Sequence, residues 1–399
     1  MRRALILDAA RTPFGRFRGG LSGVRVDDLA ALPIVELLRR HGPEGTGRLD
    51  PAHIDDVVLG NSNGAGEDNG NIGRMAALLA GLPPTVPGVT VNRLCAAGGE
   101  AVVQAARALV SGDADLIVAG GVEGMSRAPF VVRRPDRAFP DYLETVSTTL
   151  NWRLVNPRMP DRWTVPLGRA AEQVALELGI TRELMDAYAL RSHRRARAAW
   201  DAGVHDGFVF PVLTPDGSAV RRDESVRPDT SMEKLGRLPS AFSADGPITA
   251  GNSSPINDGA VALLLGTDVW AAELGVEPLG EVVGSAVAAL EPDRFALAAA
   301  PAVRKLLSRL DVRVEDVDLW EINEVFAAVV LAVLHDLPEV DPDRVNVHGG
   351  AIAYGNPVGA SLARMVVDLC RHLRARDGGF GVAVAGVGVG QGIAVAVRV

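Results

Sequence analysis

The chain has 399 residues, of which 47% are hydrophobic and 23% charged, so it reads as a globular protein with a large core in two or three domains. A net charge of −8 with no basic block argues against nucleic acid or an anionic membrane as partner. Two cysteines far apart, Cys95 and Cys370, and an N-terminus too weakly apolar for a signal peptide point to a reducing cytoplasm and not to a disulfide scaffold.

Taken in order, the chain opens with a strand over 3–8 and a loop over 10–20, then a helix over 27–40 capped by Asp27. A strand over 55–60, a Gly/Asn-rich loop over 61–71 and a helix over 72–80 closed by Gly81 and Pro83 follow. Residues 89–91 are β-branched and stop at Asn92-Arg93-Leu94-Cys95-Ala96-Ala97-Gly98-Gly99. Beyond Gly99 the apolar spacing changes from period 2 to period 3.6. This is a strand-turn-helix elbow carrying Cys95. A thiol at a helix N-terminus faces the positive end of the macrodipole, which can lower its pKa from about 8.5 towards roughly 3.5–7.5. By position alone Cys95 is either such a nucleophile or a buried structural cysteine.

A short buried strand over 114–121 completes an α/β pattern of the kind that builds a parallel or mixed sheet covered on both faces. From 123 to 245 Arg, Pro and Trp become frequent and the helix over 182–202 is strongly charged, as expected of an inserted loop domain. Regular texture returns at 261–265 and continues through strands at 280–287 and 319–322 and helices at 301–310 and 326–334. The apolar run 380–397 is studded with glycine and broken by Gln391, so it reads as buried strands around a turn and not as a membrane helix. An internal repeat is visible: the Val91-Asn92 turn and helix are echoed by Val345-Asn346-Val347-His348-Gly349-Gly350 and a helix through Leu373. Two such units packed as a pseudo-twofold pair bring Cys95 and His348 to one cleft at the strand ends. His193, His205, His335 and His372 have no partner motif and read as surface residues, and no metal-ligand spacing occurs.

Several ordered motifs carry a family resemblance. They include Ala10-Arg11-Thr12-Pro13, Gly66-Glu67-Asp68-Asn69, Val91-Asn92-Arg93-Leu94-Cys95, Gly120 through Pro129, Arg227-Pro228-Asp229-Thr230, Asn257-Asp258-Gly259-Ala260 and Asn323-Glu324-Val325-Phe326-Ala327. Over its full length the chain resembles the thiolases, most of all their 3-oxoadipyl-CoA branch. The resemblance implies an α/β thiolase fold, two similar halves layered αβαβα. Residues 1–122 with 246–271 would form the N-terminal half, 123–245 the inserted loop domain and 272–399 the C-terminal half. It also implies a homodimer or homotetramer, with a coenzyme A (or carrier-bound) thioester as substrate and no permanently bound cofactor.

By the same resemblance Cys95 would be acylated, and the amides of Cys95 and Gly388 would cradle the thioester oxyanion. Asn323 would hold a water, although Asn is also an ordinary helix cap. Arg237 is a candidate for a coenzyme A phosphate or equally a solvated arginine, and Ser254 a candidate for the pantetheine arm.

The departures from the family are at the chemistry. The usual Gly-His-Pro, whose histidine activates the nucleophile, is Gly355-Asn356-Pro357, and the second family cysteine falls on Gly386. Asn356 can donate to an oxyanion but cannot shuttle a proton near neutral pH. His348 stands where the family commonly has asparagine, so it is either a relocated base or a histidine bonded beside the turn. Pro166-Leu167 replaces a His-Met pair and Pro255 a glycine, a sign of a remodelled acyl pocket. Three functions follow: acyl transfer from acyl-Cys95 to an acceptor needing no cysteine base, genuine β-ketoacyl-CoA thiolysis through His348, or a silent scaffold.

Overall fold

A computed structural model describes residues 2–150 and 152–399. The N-terminal half-sheet runs, in spatial order, Leu5–Arg11, Asn257–Gly266, Leu116–Gly124, Asp56–Gly60, Val89–Val91. The C-terminal half-sheet runs Gly280–Ala289, Gln391–Arg398, Phe380–Val387, Leu319–Ile322. The pairs Leu5–Glu281 and Ile6–Gly280 join them edge to edge. Strands such as Asn257–Gly266 and Phe380–Val387 are buried throughout, because helices cover both faces.

The helices Ala97–Ser111 and Ser361–Arg374 lie between the half-sheets, and their side chains share one core with residues from both, among them Val102, Met365, Leu263 and Val395. Val26–His41 and Ile72–Leu79 cover the outer face of the first sheet, and Ala299–Leu310 and Ala327–Asp336 that of the second. The layering is αβαβα. The two central helices meet closely: a Cβ on Gly98 would stand 2.5 Å from the Gly359 carbonyl oxygen, and one on Gly99 2.2 Å from Leu362. Small residues there let the second half press against the base of the Cys95 elbow.

The repeat is longer than its turns suggest. Each half orders its strands the same way, first strand, last strand, then inward to the parallel pair, so the whole half is duplicated. The echo of the elbow is also looser than the sequence implies. Val345 makes only an isolated bridge to Trp320, and the helix expected through Leu373 is two pieces, Ala351–Tyr354 and Ser361–Arg374. Gly355, at φ 108°, and Pro357 break it. The first outer helix begins at Val26, with Arg25 and not Asp27 at its cap; Asp27 sits in the first turn and pairs with Arg25. The C-terminal run is two antiparallel strands joined through Val389 and Gly390, both with positive φ as tight hairpins require. Among the described residues no helix is long and apolar enough to cross a membrane.

Candidate active site

The strand Val89–Val91 ends in a turn in which Leu94 takes φ 47°, a left-handed conformation that costs a leucine about 1–2 kcal/mol. Three contacts hold it. The Leu94 amide donates to the Asn92 side chain at 2.8 Å, and Arg93 donates to Glu100 at 2.7 Å in the first turn of the helix and to Gln391 at 3.1 Å on the opposite half. The strain turns the next residue, Cys95, into a cavity of about 560 Å³ between the halves. Cys95 is 7% exposed. Burial pushes its thiol up, the amides of Gly388 and of Cys95 itself pull it down, and the Glu123 carboxylate adds to the rise. The net direction is upward, which corrects the expectation of a thiol lowered by the helix terminus: loss of water outweighs the dipole.

Asn356, Ser254 and Gly388 line the same cavity as Cys95. Asn356 is pinned. Its Nδ2 donates to Ser254 Oγ at 3.2 Å, its Oδ1 accepts from Ser361 at 2.6 Å, and its backbone amide donates to Asn257 at 3.0 Å. Gly388 lets the Trp152 ring lie on the backbone, since a Cβ there would stand 2.9 Å from it. A Cβ at Gly386 would stand 2.8 Å from the Phe295 carbonyl oxygen, so any side chain there requires the backbone to shift.

Glu123, which the sequence reading passed over inside the Gly120–Pro129 motif, is also in the cavity wall. Its Oε2 accepts from the amides of Ser62 at 2.9 Å and Gly359 at 3.0 Å, and its Oε1 from the amide of Asn63 at 3.2 Å and the side chain of Asn61 at 3.3 Å. Burial raises its carboxyl to about 7 against the pull of those three amides. With four donors on its two oxygens, the carboxylate clamps the Asn61–Asn63 loop to the opposite half.

The remaining expectations divide. Asn323 is 1% exposed, and neither atom of its side-chain amide has a partner among the described residues. It caps nothing, because the next helix starts after Phe326. His348 does not join Cys95. It lies outside the cavity, half-buried, its ring against His372 with centroids 4.2 Å apart and its carbonyl accepting from the Tyr354 hydroxyl. Burial lowers its pKa. The turn that carries it is followed by a one-turn helix and not by a continuous one, which aims it at the Ser361–Arg374 helix. His193, His205 and His372 are buried and not on the surface; His193 accepts the Arg227 amide at 3.2 Å and His205 bonds the Tyr354 hydroxyl at 3.1 Å. Arg237 is solvated and paired with Glu233, and it lines neither the Cys95 cavity nor the cleft beside it. The cations that do line the adjoining cleft of about 350 Å³ are Arg16, Arg227 and Lys234; this cleft shares Ser253, Pro255 and Ile256 with the Cys95 cavity. Arg227 belonged to a motif already visible in the sequence; Arg16 carried no such signal.

Residues 4–268 match the family description "Thiolase, N-terminal domain" and residues 276–399 match "Thiolase, C-terminal domain". The chain belongs to the thiolase family. It is 46% identical over 389 residues to the β-ketoadipyl-CoA thiolase of Escherichia coli, covering 96% of both chains. The crystal structure of the Bacillus anthracis acetyl-CoA acetyltransferase superposes with a TM-score of 0.91 at 36% identity, over 100% of this chain and 99% of that one. Human mitochondrial 3-ketoacyl-CoA thiolase in complex with CoA gives 0.91 at 32% identity, over 100% and 98%. The protein is therefore an acyltransferase of this family.

Proposed function

We propose that Cys95 attacks a coenzyme A thioester, forms an acyl-Cys95 and passes the acyl group to an acceptor that brings its own reactivity. The observation that carries this reading is the pairing of a cradled Cys95 with two base positions held by groups that do not titrate near neutral pH, Asn356 and Gly386. The first half-reaction is proton-neutral: the sulfur–carbonyl bond forms at Cys95, the bond to the coenzyme A sulfur breaks, and the Cys95 proton ends on the departing thiolate. The amides of Cys95 and Gly388, directed at the sulfur, fit the role of donors to the oxyanion; losing one such donor typically costs about 2.7–4 kcal/mol. The unpartnered Asn323 amide fits a bound water, since a buried amide left bare is costly. Ser254 lies where the cavity meets the cleft lined by Arg16, Arg227 and Lys234, a path suited to the pantetheine arm and the phosphates. Under this reading 123–245 is the loop domain on the coenzyme A side, and the reaction is cytoplasmic.

A Claisen step with acetyl-CoA instead needs a base for the carbon acid, and none stands at 386. The likeness to β-ketoadipyl-CoA thiolases favours the second reading, genuine thiolysis, and retention of the Cys95 elbow speaks against a silent scaffold. Intact-protein mass spectrometry after incubation with acyl-CoAs tests the proposal: an adduct forms on the wild type and disappears in Cys95→Ala. Absence of any adduct, or one that persists in Cys95→Ala, would refute it, and rapid cleavage of acetoacetyl-CoA would establish thiolysis.

A further inference from the structure

The two amides directed at the Cys95 sulfur belong to opposite halves of the molecule. That of Cys95 sits on the turn before the helix Ala97–Ser111, and that of Gly388 on the hairpin between the strands Phe380–Val387 and Gln391–Arg398. Two donors stabilise one oxygen only while both stand about 2.7–3.1 Å from it, so their separation has to be fixed across the joint. Among the described residues no main-chain hydrogen bond ties the 92–97 turn to the 387–391 hairpin. One side chain does. Arg93 donates through Nη1 to Gln391 Oε1 at 3.1 Å and through Nε to Glu100 at 2.7 Å. Gln391 pairs with Val387, directly before Gly388, and with Ala289 on the neighbouring strand. Glu100 is held in its turn by Gln104, which donates to it at 3.2 Å along the same helix. The guanidinium thus has one arm on the helix that follows Cys95 and the other on the hairpin that carries Gly388. Leu94 touches the same hairpin, since a Cβ on Gly388 would stand 3.4 Å from its Cδ1. Arg93, Glu100 and Gln391 do not line the Cys95 cavity, so the bridge reaches the chemistry through the backbone.

Building on the acyl-Cys95 reading, we propose that Arg93 is a positioning residue whose bridge to Gln391 sets the spacing between the Cys95 and Gly388 amides. Glu100 already answers its charge, so what matters across the joint is its reach. A planar guanidinium spans two acceptors in a fixed geometry, which a lysine ammonium does not reproduce. Misplacing a reacting group by about 1 Å can cost about 10²-fold in rate, and losing one oxyanion donor costs about 10²–10³-fold. Loosening the bridge without removing either amide should therefore slow acyl transfer to Cys95 roughly 10- to 100-fold. Attack of the same sulfur on a saturated carbon passes through no oxyanion and should be indifferent to the bridge.

Two reagents for Cys95 separate oxyanion spacing from thiol reactivity. p-Nitrophenyl acetate acetylates the sulfur through a tetrahedral oxyanion, the sulfur–carbonyl bond forming as p-nitrophenolate leaves and the thiol proton passes to buffer. Iodoacetamide alkylates it by displacing iodide. The readout is the ratio of the two second-order rate constants, followed by intact-protein mass with Cys95→Ala as the blank. Arg93→Met and Gln391→Met should each lower the ratio about 10- to 100-fold, and the double variant should lower it no further, as expected of two ends of one contact. Gln391→Glu, which keeps an acceptor for Arg93, should restore most of the ratio, and Arg93→Lys only part of it. An unchanged ratio in Gln391→Met, effects that multiply in the double variant, or a parallel fall of both rate constants would overturn the assignment, the last by making Arg93 a prop of the turn alone. If the ratio behaves as expected while no acyl-CoA acylates wild-type Cys95, the bridge stands and the thioester reading falls. An acyl-CoA adduct together with a ratio indifferent to Gln391→Met keeps that reading and removes the bridge.

Discussion

Asn356→His restores a titratable group beside Cys95, and its effect can be bounded from the structure. With an ordinary thiol pKa of about 8.5, roughly 3% of a cysteine is thiolate at pH 7, and Cys95 is pushed higher by burial. Complete activation by an adjacent base would therefore raise acylation at pH 7 by at least about 30-fold, a lower bound that sits just under the roughly 10²–10⁴-fold that general-base catalysis typically contributes. The side chain has a ready orienting partner: Ser361 Oγ, now 2.6 Å from Asn356 Oδ1, can accept from Nδ1–H and leave Nε2 towards the cavity. The assay is rapid-quench mass spectrometry of the acyl adduct with a thioester the wild type accepts, from pH 6 to 9. Wild-type rates should climb about tenfold per pH unit as thiolate accumulates, whereas Asn356→His should level off above about pH 6.5. Asn356→Gln, which does not titrate, should keep the wild-type slope. A wild-type profile already flat between pH 6.5 and 8.5 would mean that a base is present and that the account of this site is wrong.

Gly386→Cys should destabilise the fold by about 1–3 kcal/mol, read by denaturant unfolding, because its Cβ meets the Phe295 carbonyl at 2.8 Å; no loss of stability would show that this backbone yields freely. Glu123, raised to about 7 from the ordinary 4.5, binds its proton more tightly folded than unfolded, so its contribution to stability falls by about 3 kcal/mol as pH rises from 4.5 to 7 and is constant above. Glu123→Gln should flatten that part of the stability–pH curve, and an unchanged slope would locate the titration elsewhere. Acyl-Cys95, once formed, should discharge onto malonyl-CoA faster than onto acetyl-CoA, followed as loss of the adduct mass; equal rates would show that no decarboxylating acceptor is needed. The strand Val89–Val91 is the outermost of its half-sheet, beside exposed Leu78 and Leu79, so the protein should be at least a homodimer, and a monomer by light scattering at micromolar concentration would refute this.

Much of the fold was legible because its signals are local. The period change at Gly99 marks the elbow, the charged helix Arg182–Asp201 is where the composition shifts, and the glycine turn at 390 folds an apolar run back on itself. What was not legible depends on residues far apart in the chain. The helix terminus behind Cys95 can be read from eleven residues, but the desolvation that overrides it comes from walls supplied by Trp152, Phe326 and Asn356. His348 matches Cys95 in the repeat, yet a break at Gly355 that the repeat does not share turns it towards His372. Histidines without a motif looked like surface residues because burial leaves no mark on a single position, and His205 is covered by Trp200 and Tyr354. Glu123 went unnoticed for the same reason: it takes its meaning from Asn63, 60 residues away.

Under the proposed reading the two base positions are held by other residues, and not merely empty. Asn356 holds three hydrogen bonds that fix it in the cavity, and a Cβ at 386 would stand 2.8 Å from a peptide carbonyl, so a side chain there forces a shift. A site built this way still balances its first step, because the proton that leaves Cys95 is the one the coenzyme A thiolate takes up. Under the proposed reading, the second step is where the chemistry differs. An acceptor carbon can enter as a nucleophile by losing CO₂, whose departing bond supplies the electron pair, and an amine or hydroxyl can enter with a proton it passes to solvent. Neither asks the protein to abstract a proton from carbon. Proton accounting therefore narrows the acceptor more sharply than the cavity does: its shape bears on the acyl group, while Asn356 and Gly386 bear on what can receive it.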